Sequence, residues 1–169
     1  MSNQRRNIKV KNVDGHNMVF DIVRRRYVAL TPEEWVRQNY IHYLHYELGY
    51  PLELMQVEGA LELNGMTRRC DIVVYDCDVR PYIIVECKRE TVALSQKVMD
   101  QACRYNIVLQ VPYLCITNGP QQICCEVCGE ELKILQELPR YIPAGTIDIR
   151  SLILSLAPVI PCIAILSIS

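Results

Sequence analysis

Three charged side chains stand in runs that are otherwise apolar: Asp71 in "CDIVVYD" (70–76), and Glu86 and Lys88 in "YIIVECKRE" (82–90). If the two runs pair as an antiparallel hairpin about the turn "CDVRP" (77–81), the register centres between Asp78 and Val79 and sets Asp71 opposite Glu86. Side chains alternate along a strand, so Glu86 and Lys88 share that face while Cys87 points to the other. Two carboxylates held opposite each other repel unless something neutralises them. A divalent cation is the natural candidate, and hard oxygen ligands suit magnesium, with manganese as its substitute. Lys88 beside such a cation would orient an attacking water and help deprotonate it. The plainer alternative leaves Asp71 and Glu86 solvated at sheet edges, or in simple ion pairs with Lys88 and Arg69. A second Glu-x-Lys, Glu131-Leu132-Lys133, sits in "GEELKILQEL", which reads as a polar helix-like stretch with no acidic strand opposite.

The elements that must position these groups follow from the patterning. "MVFDIVRRRYVA" (18–29) reads as a small hairpin or extended lead-in, an appendage to the core. Thr31 as N-cap, Pro32 at the first helical position and Glu34 three residues after the cap open a helix whose apolar positions are Trp35, Ile41, Leu44 and Leu48. Gly49 and Pro51 end it. "ELMQVEGALEL" (53–63), a turn at Asn64-Gly65, and "RRCDIVVYD" (68–76) read as two strands, with "YIIVECK" (82–88) as the third. A second helix is expected over 91–110, then strands in "VPYLCITNG" and "QQICCEV". The fold class is α/β, a mixed sheet with a three-strand meander flanked by helices, in the order α-β-β-β-α-β-β. The division expected is a lead-in at 1–30, one core domain at 31–140 and an apolar extension at 141–169.

Composition limits the function classes. Half of the 169 residues are apolar and the formal charge is −1, so the chain is neither disordered by composition nor a general electrostatic partner of nucleic acid. Contact with DNA must therefore be local: Arg69, beside Asp71, is the favoured phosphate ligand, with Arg89, Lys97, Arg104 and the run Arg24-Arg25-Arg26 as further candidates. Nine cysteines, five of them inside apolar runs, and an N-terminus without an apolar signal region point to reduced core thiols and a cytoplasmic protein. Cys125 and Cys128 have half a zinc-site spacing without a second half. His42 and His45 read as ordinary helix residues. The stretch 151–169 is uncharged, but Pro158 and Pro161 argue against a spanning helix, and no membrane contact is expected.

Asp71 followed by Glu86-x-Lys88 on the next strand, between two helices, resembles the PD-(D/E)XK nuclease core, with Cys70 where the motif's name has Pro. Gln101 and Tyr105, four apart in "QACRY", resemble the QxxxY element of a subset of these nucleases. More narrowly, "RRRYVALTPEEWVRQNYIHYL", "RRCDIVVYD", "IIVECK" and "VPYLCITNG" together resemble the N-terminal nuclease domain of type I restriction enzyme R subunits, in a stand-alone form, over residues 18–140. The resemblance implies a restriction-endonuclease-like fold. It implies that Asp71, Glu86 and the backbone carbonyl of Cys87 bind magnesium, that Lys88 acts on the water, and that Gln101 with Tyr105 supports the site or meets DNA. Many members also use a glutamate of the first helix. Glu34 is the candidate, although its capping role with Thr31 is an equally sufficient reason for it.

The function expected is therefore a magnesium-dependent DNA endonuclease of restriction-modification type. The alternative is a catalytically inactive module of the same fold that binds DNA or a protein partner. Double-stranded DNA is the expected substrate, and methyltransferase/specificity or motor subunits are partners the resemblance admits. The chain has no GxxxxGK[ST] phosphate loop, so ATP-driven translocation is not expected of it.

Overall fold

The computed structural model describes residues 7–63, 65–95, 111–129 and 131–143. The chain opens with three strands, β1 (Val10–Val13), β2 (His16–Asp21) and β3 (Arg26–Ala29), which pair antiparallel in the order β1-β2-β3. The expected hairpin is present as β2 and β3, with Met18 opposite Ala29, and β1 extends it by a strand that the exposed, polar "VKNV" did not announce. Val19 and Asp21 turn inward and are fully buried, so the sheet is packed onto the rest of the protein by one face.

Helix α1 (Pro32–His42) begins as the sequence requires. The Thr31 side chain accepts the Glu34 N–H at 3.0 Å, and Pro32 occupies the first turn, where a missing N–H costs nothing. The helix runs on into a π-helical turn at Tyr43–Glu47, and Gly49, at φ +84°, makes the reversal that follows. Its buried apolar stripe is Val36, Tyr40, Ile41, Leu44 and Leu48. Trp35, expected in that stripe, lies outside it and is 37% exposed.

A 3₁₀ turn (Leu52–Leu54) leads into β4 (Met55–Val57), β5 (Ala60–Leu63), β6 (Met66–Arg69) and β7 (Ile72–Tyr75). The two strands expected here are each broken once. β5 pairs with β6 and β4 with β7 in one continuous register, and the backbone bonds Glu58 N–H to Asp71 O (2.9 Å) and Cys70 N–H to Gly59 O (3.1 Å) bridge the break. The hairpin is therefore a single ladder kinked at Glu58, whose φ is +52°, and opposite it at Cys70-Asp71. A side chain at Gly59 would put its Cβ 2.2 Å from Gln56 Cδ, so a larger residue there would have to displace the Gln56 side chain.

β7 pairs antiparallel with β8 (Pro81–Cys87), Ile72 opposite Val85, after an irregularity between Val74 and Tyr75. One step further along this register is Asp71 opposite Glu86, as the turn length predicts. β8 then lies parallel to β9 (Tyr113–Thr117), which pairs antiparallel with β10 (Gln122–Cys128), and β10 with β11 (Glu131–Leu135). The six-stranded mixed sheet has the order β11-β10-β9-β8-β7-β4, which fits the α/β restriction-endonuclease-like class. The stretch expected to be helix-like around Glu131-Leu132-Lys133 is strand β11, with Glu126 opposite Lys133 and its carboxylate 3.7 Å from the Lys133 ammonium. Alternation of Leu132 and Ile134 with charged residues at an edge carries that strand better than helical packing would. Residues 91–95 are irregular; the rest of the expected second helix lies outside the described residues.

Both sheet faces are covered, which is why the central strands read as continuous apolar runs. Ile72, Val74, Ile83, Val85, Cys87, Cys115 and Cys124 pack on the α1 side, and Val73, Ile84, Leu114, Ile116 and Cys125 on the other. Cys70, Cys87, Cys115, Cys124 and Cys125 are buried thiols. Cys128 is exposed and three residues from Cys125 along a strand, on the opposite face, so the pair makes no half-site. His45 Nδ1 lies 2.8 Å from the Tyr50 carbonyl oxygen and His42 is buried, as structural helix residues would be.

Candidate active site

The end of the sheet at Asp71 and Cys87 gathers the charged groups. In an ideal strand Cys70 would share a face with Ile72, yet it packs with Val73 and Ile84 on the opposite side. The kink turns the chain by this much, and it turns the Asp71 carboxylate towards α1. Asp71 Oδ2 accepts the Cys87 N–H at 2.8 Å, and Oδ1 accepts Arg37 Nη2–H, also at 2.8 Å. Lys88 is anchored by its own N–H on the Thr117 carbonyl (2.8 Å), which extends the β8–β9 pairing, and its ammonium donates to Glu86 Oε1 at 2.9 Å. Burial disfavours the Lys88 ammonium, but the hydrogen bond and charge of Glu86, then the charges of Asp71 and Glu33, hold its pKa above the ordinary lysine value. Burial and the Asp71 charge push the Cys87 thiol up, so it is a neutral core group.

Glu34 sits on α1 with its carboxylate turned inward. One oxygen accepts from Arg24 Nη2 and Gln38 Nε2, each at 2.8 Å, and the other is paired with Arg37 Nη1. Its backbone fulfils the capping expected of it, but its side chain, 8% exposed, belongs to a buried ion network instead of a reciprocal capping box. Neighbouring Glu33 is the α1 carboxylate whose charge reaches Lys88 and Cys87, and it lies 3.6 Å from Arg37 Nη2.

Arg37 is the residue that sequence reasoning missed. Its guanidinium is 6% exposed and pairs with Glu34 and Asp71, with Glu33 and Glu58 each at 3.6 Å. Burial works against its charge, yet Asp71 and Glu34 raise its pKa well beyond the ordinary arginine value. Glu58, also missed, accepts Arg24 Nη1 at 2.6 Å and lies 3.0 Å from Arg69; against its partial burial, Arg37, Arg24 and Arg69 hold its carboxyl below the ordinary value. An arginine in the first two turns of an amphipathic helix, on the same side as its apolar stripe, was the signal available for Arg37. Nothing in "VEG" announced Glu58, because its role depends on a positive φ.

Of the phosphate-binding candidates, Arg69 is exposed and paired with Glu58, and Arg89 lines a cavity of about 750 Å³ together with Arg26, Glu33, Glu34 and Arg37. Arg24 is drawn into the buried network, while Arg25 is exposed beside Glu53. Gln101, Tyr105, Lys97 and Arg104 lie outside the described residues.

The donor set fits a hard divalent cation. Asp71 and Glu86 offer carboxylate oxygens and Cys87 a backbone carbonyl, and each Asp71 oxygen keeps acceptor capacity beyond the one N–H it takes. Among the described residues, five carboxylates (Asp21, Glu33, Glu34, Glu58, Asp71) pair with three guanidiniums (Arg24, Arg37, Arg69) in the adjoining network, and Arg26 and Arg89 line the cavity beside it. Among the described residues no group of three or more His, Cys, Asp or Glu side chains is placed to hold a metal ion. Among them, too, no helix is long and apolar enough to cross a membrane.

A family model described as Type I restriction enzyme R protein N terminus (HSDR_N) matches residues 32–139. Among solved structures, the chain is similar to a fragment assigned to an HsdR subunit of a type I restriction enzyme from Vibrio vulnificus YJ016, at 21% identity and a TM-score of 0.48. The similarity covers 66% of this chain and 24% of that one, so the chain spans about a quarter of its length. No curated protein matches the chain.

Proposed function

The chain belongs to the family of type I restriction enzyme R protein N termini, a restriction-modification nuclease family, and on that premise we propose that it is a magnesium-dependent endodeoxyribonuclease domain that hydrolyses DNA phosphodiesters by water attack. The observation that carries this reading is the Asp71 carboxylate, fixed on the Cys87 N–H, whose charge acts together with the Glu86 hydrogen bond on the Lys88 ammonium. Asp71, Glu86 and the Cys87 carbonyl would hold the cation, with manganese able to replace magnesium. When bound, it would polarise the scissile phosphate and lower the pKa of a water. Lys88 enters the reaction charged, because Glu86 and Asp71 keep it so. It donates a hydrogen bond that orients the water, and, being charged, it would aid deprotonation only through its field, the proton leaving to solvent and the leaving alkoxide taking one from solvent; its charge also offsets the negative charge that grows on the phosphoryl oxygens. Arg89 and Arg26, on the wall of the adjoining cavity, would meet the DNA backbone. Double-stranded DNA is the proposed substrate, and the methyltransferase/specificity or motor subunits of a type I system are the proposed partners.

A second reading has an observation of its own. Arg37 pairs with Asp71 and Lys88 with Glu86, as they would in a non-catalytic module that keeps the fold to bind DNA or protein. Calorimetry with magnesium and with manganese separates the two. The wild type should bind and Asp71→Ala should not; superimposable titrations of the two proteins would remove the metal site.

A further inference from the structure

The three-stranded sheet, β1 to β3, lies outside the residues 32–139 that the family model matches. It is nevertheless joined to the candidate site by a relay of buried ion pairs that starts in the β2–β3 loop. Asp21, fully buried, accepts the N–H groups of Val23 (2.8 Å) and Arg24 (2.7 Å), Arg24 Nε–H (2.6 Å) and Gln38 Nε2–H (2.8 Å). These bonds fix the loop and aim the Arg24 guanidinium. Its Nη2 then donates to Glu34 Oε1 at 2.8 Å and its Nη1 to Glu58 Oε2 at 2.6 Å. The other oxygen of Glu34 is paired with Arg37 Nη1, and Arg37 Nη2 holds Asp71 Oδ1 at 2.8 Å.

The distances show a competition for Arg37. Glu33 and Glu58 each stand 3.6 Å from its guanidinium, behind the closer Asp71 and Glu34. Arg24 supplies Glu34 and Glu58 with a second cation, which leaves Arg37 Nη2 to Asp71. Without it, Glu34 would draw on Arg37 and Glu58 on Arg37 and the exposed Arg69, beside Glu33 and Asp71, and a planar fork with fixed donor directions cannot serve them all.

We propose that Arg24 is a positioning residue of the site: by satisfying Glu34 and Glu58 it leaves Arg37 to hold the Asp71 carboxylate, so that the sheet outside the family span sets the orientation of a metal ligand. The positioning stands on the apo geometry alone, and its consequence for metal rests on the nuclease reading above. Lys in place of Arg24 keeps the charge, so that variant folds if charge is what folding needs, but an ammonium cannot fork between Asp21, Glu34 and Glu58.

The reporter is the Cys87 backbone N–H, whose partner is Asp71 Oδ2 and not another strand. Hydrogen exchange followed by NMR on the metal-free full chain should show the Cys87 amide exchanging about tenfold faster in Arg24→Lys and Arg24→Gln, while the Val85 amide in the same strand keeps its wild-type rate. Calorimetry with manganese alone should then show affinity weakened by about tenfold in Arg24→Gln and by less in Arg24→Lys, the scale expected when a group orienting a metal ligand is lost. Should Arg24→Gln not fold, Arg24→Lys decides. A Cys87 amide that exchanges at the wild-type rate in folded Arg24→Lys overturns the proposal, as does acceleration of Val85 to the same degree, which would mean general loosening. If the Cys87 amide responds but the wild type itself binds no manganese, the positioning is supported and it is the nuclease reading that falls.

Discussion

Replacing Arg37 by Met tests whether the buried ion network holds the fold together or merely decorates it. The guanidinium is 6% exposed, between Glu34 at 8% and Asp71 at 17%. Removing one partner of a buried pair costs about 3–5 kcal/mol, because a charge stays buried without compensation. Two features set this case at the lower end of that range. Arg24 still neutralises Glu34, and Asp71 keeps the Cys87 N–H. Arg37 Nε, moreover, is buried with no hydrogen-bond partner among the described residues, so Met removes an unsatisfied donor while filling much of the same space. The expected loss is about 3 kcal/mol, which for a chain of 169 residues is a fall in Tm of about 6–12 °C. Thermal unfolding followed by circular dichroism, with urea midpoints at unchanged slope as a second measure, reads it. Arg37→Met combined with Asp71→Asn should recover more than half of the loss, since it removes the stranded charge as well. A Tm within about 2 °C of wild type for the single variant would refute the reasoning, because so small a change belongs to surface pairs.

Three further outcomes are expected. Lys88→Ala should abolish plasmid cleavage and leave DNA affinity nearly unchanged, since one lysine adds little among many phosphate contacts; cleavage at the wild-type rate would show that the Glu-x-Lys match is chance. Thr31→Ala removes the oxygen that accepts the Glu34 N–H and should cost about 1 kcal/mol, a few degrees in Tm, with cleavage per folded molecule retained. The Glu58 carboxyl has a folded pKa below its ordinary 4.5, so its ion pairs contribute stability that is present above that value and lost as the pH falls through the folded pKa. Urea midpoints taken from about pH 5 down to about pH 3 should therefore fall less steeply in Glu58→Gln than in wild type, and parallel curves would deny Glu58 that role.

The register of β7 with β8, Ile72 opposite Val85, was legible because a hairpin's register follows from its turn, and the turn is marked in the sequence by "CDVRP". The cap of α1 was legible for a similar reason: Thr31, Pro32 and Glu34 act within one helical turn of each other. Edge strands were less so. β11 alternates apolar with charged residues for only four positions, too few to separate period two from the helical period, and β1 is exposed throughout.

What the sequence hid is the rotation at the kink. Two straight strands would put Asp71 on the face of Val73, away from α1, and Arg37 would then have no reason to be buried. Glu58 at a positive φ and Cys70 on the opposite face from its ideal place bring the carboxylate round to the helix, where a buried guanidinium meets it. Neither change leaves a mark on hydrophobic periodicity, since the ladder keeps its register through the break. The same rotation explains why Glu34, placed correctly on the first helix, is not turned to Lys88. Once Asp71 approaches α1, the helix needs a cation there, and a cation at position 37 claims the carboxylate one turn before it. Glu33, one residue earlier and about 100° around the helix, is the α1 carboxylate whose charge acts on Lys88.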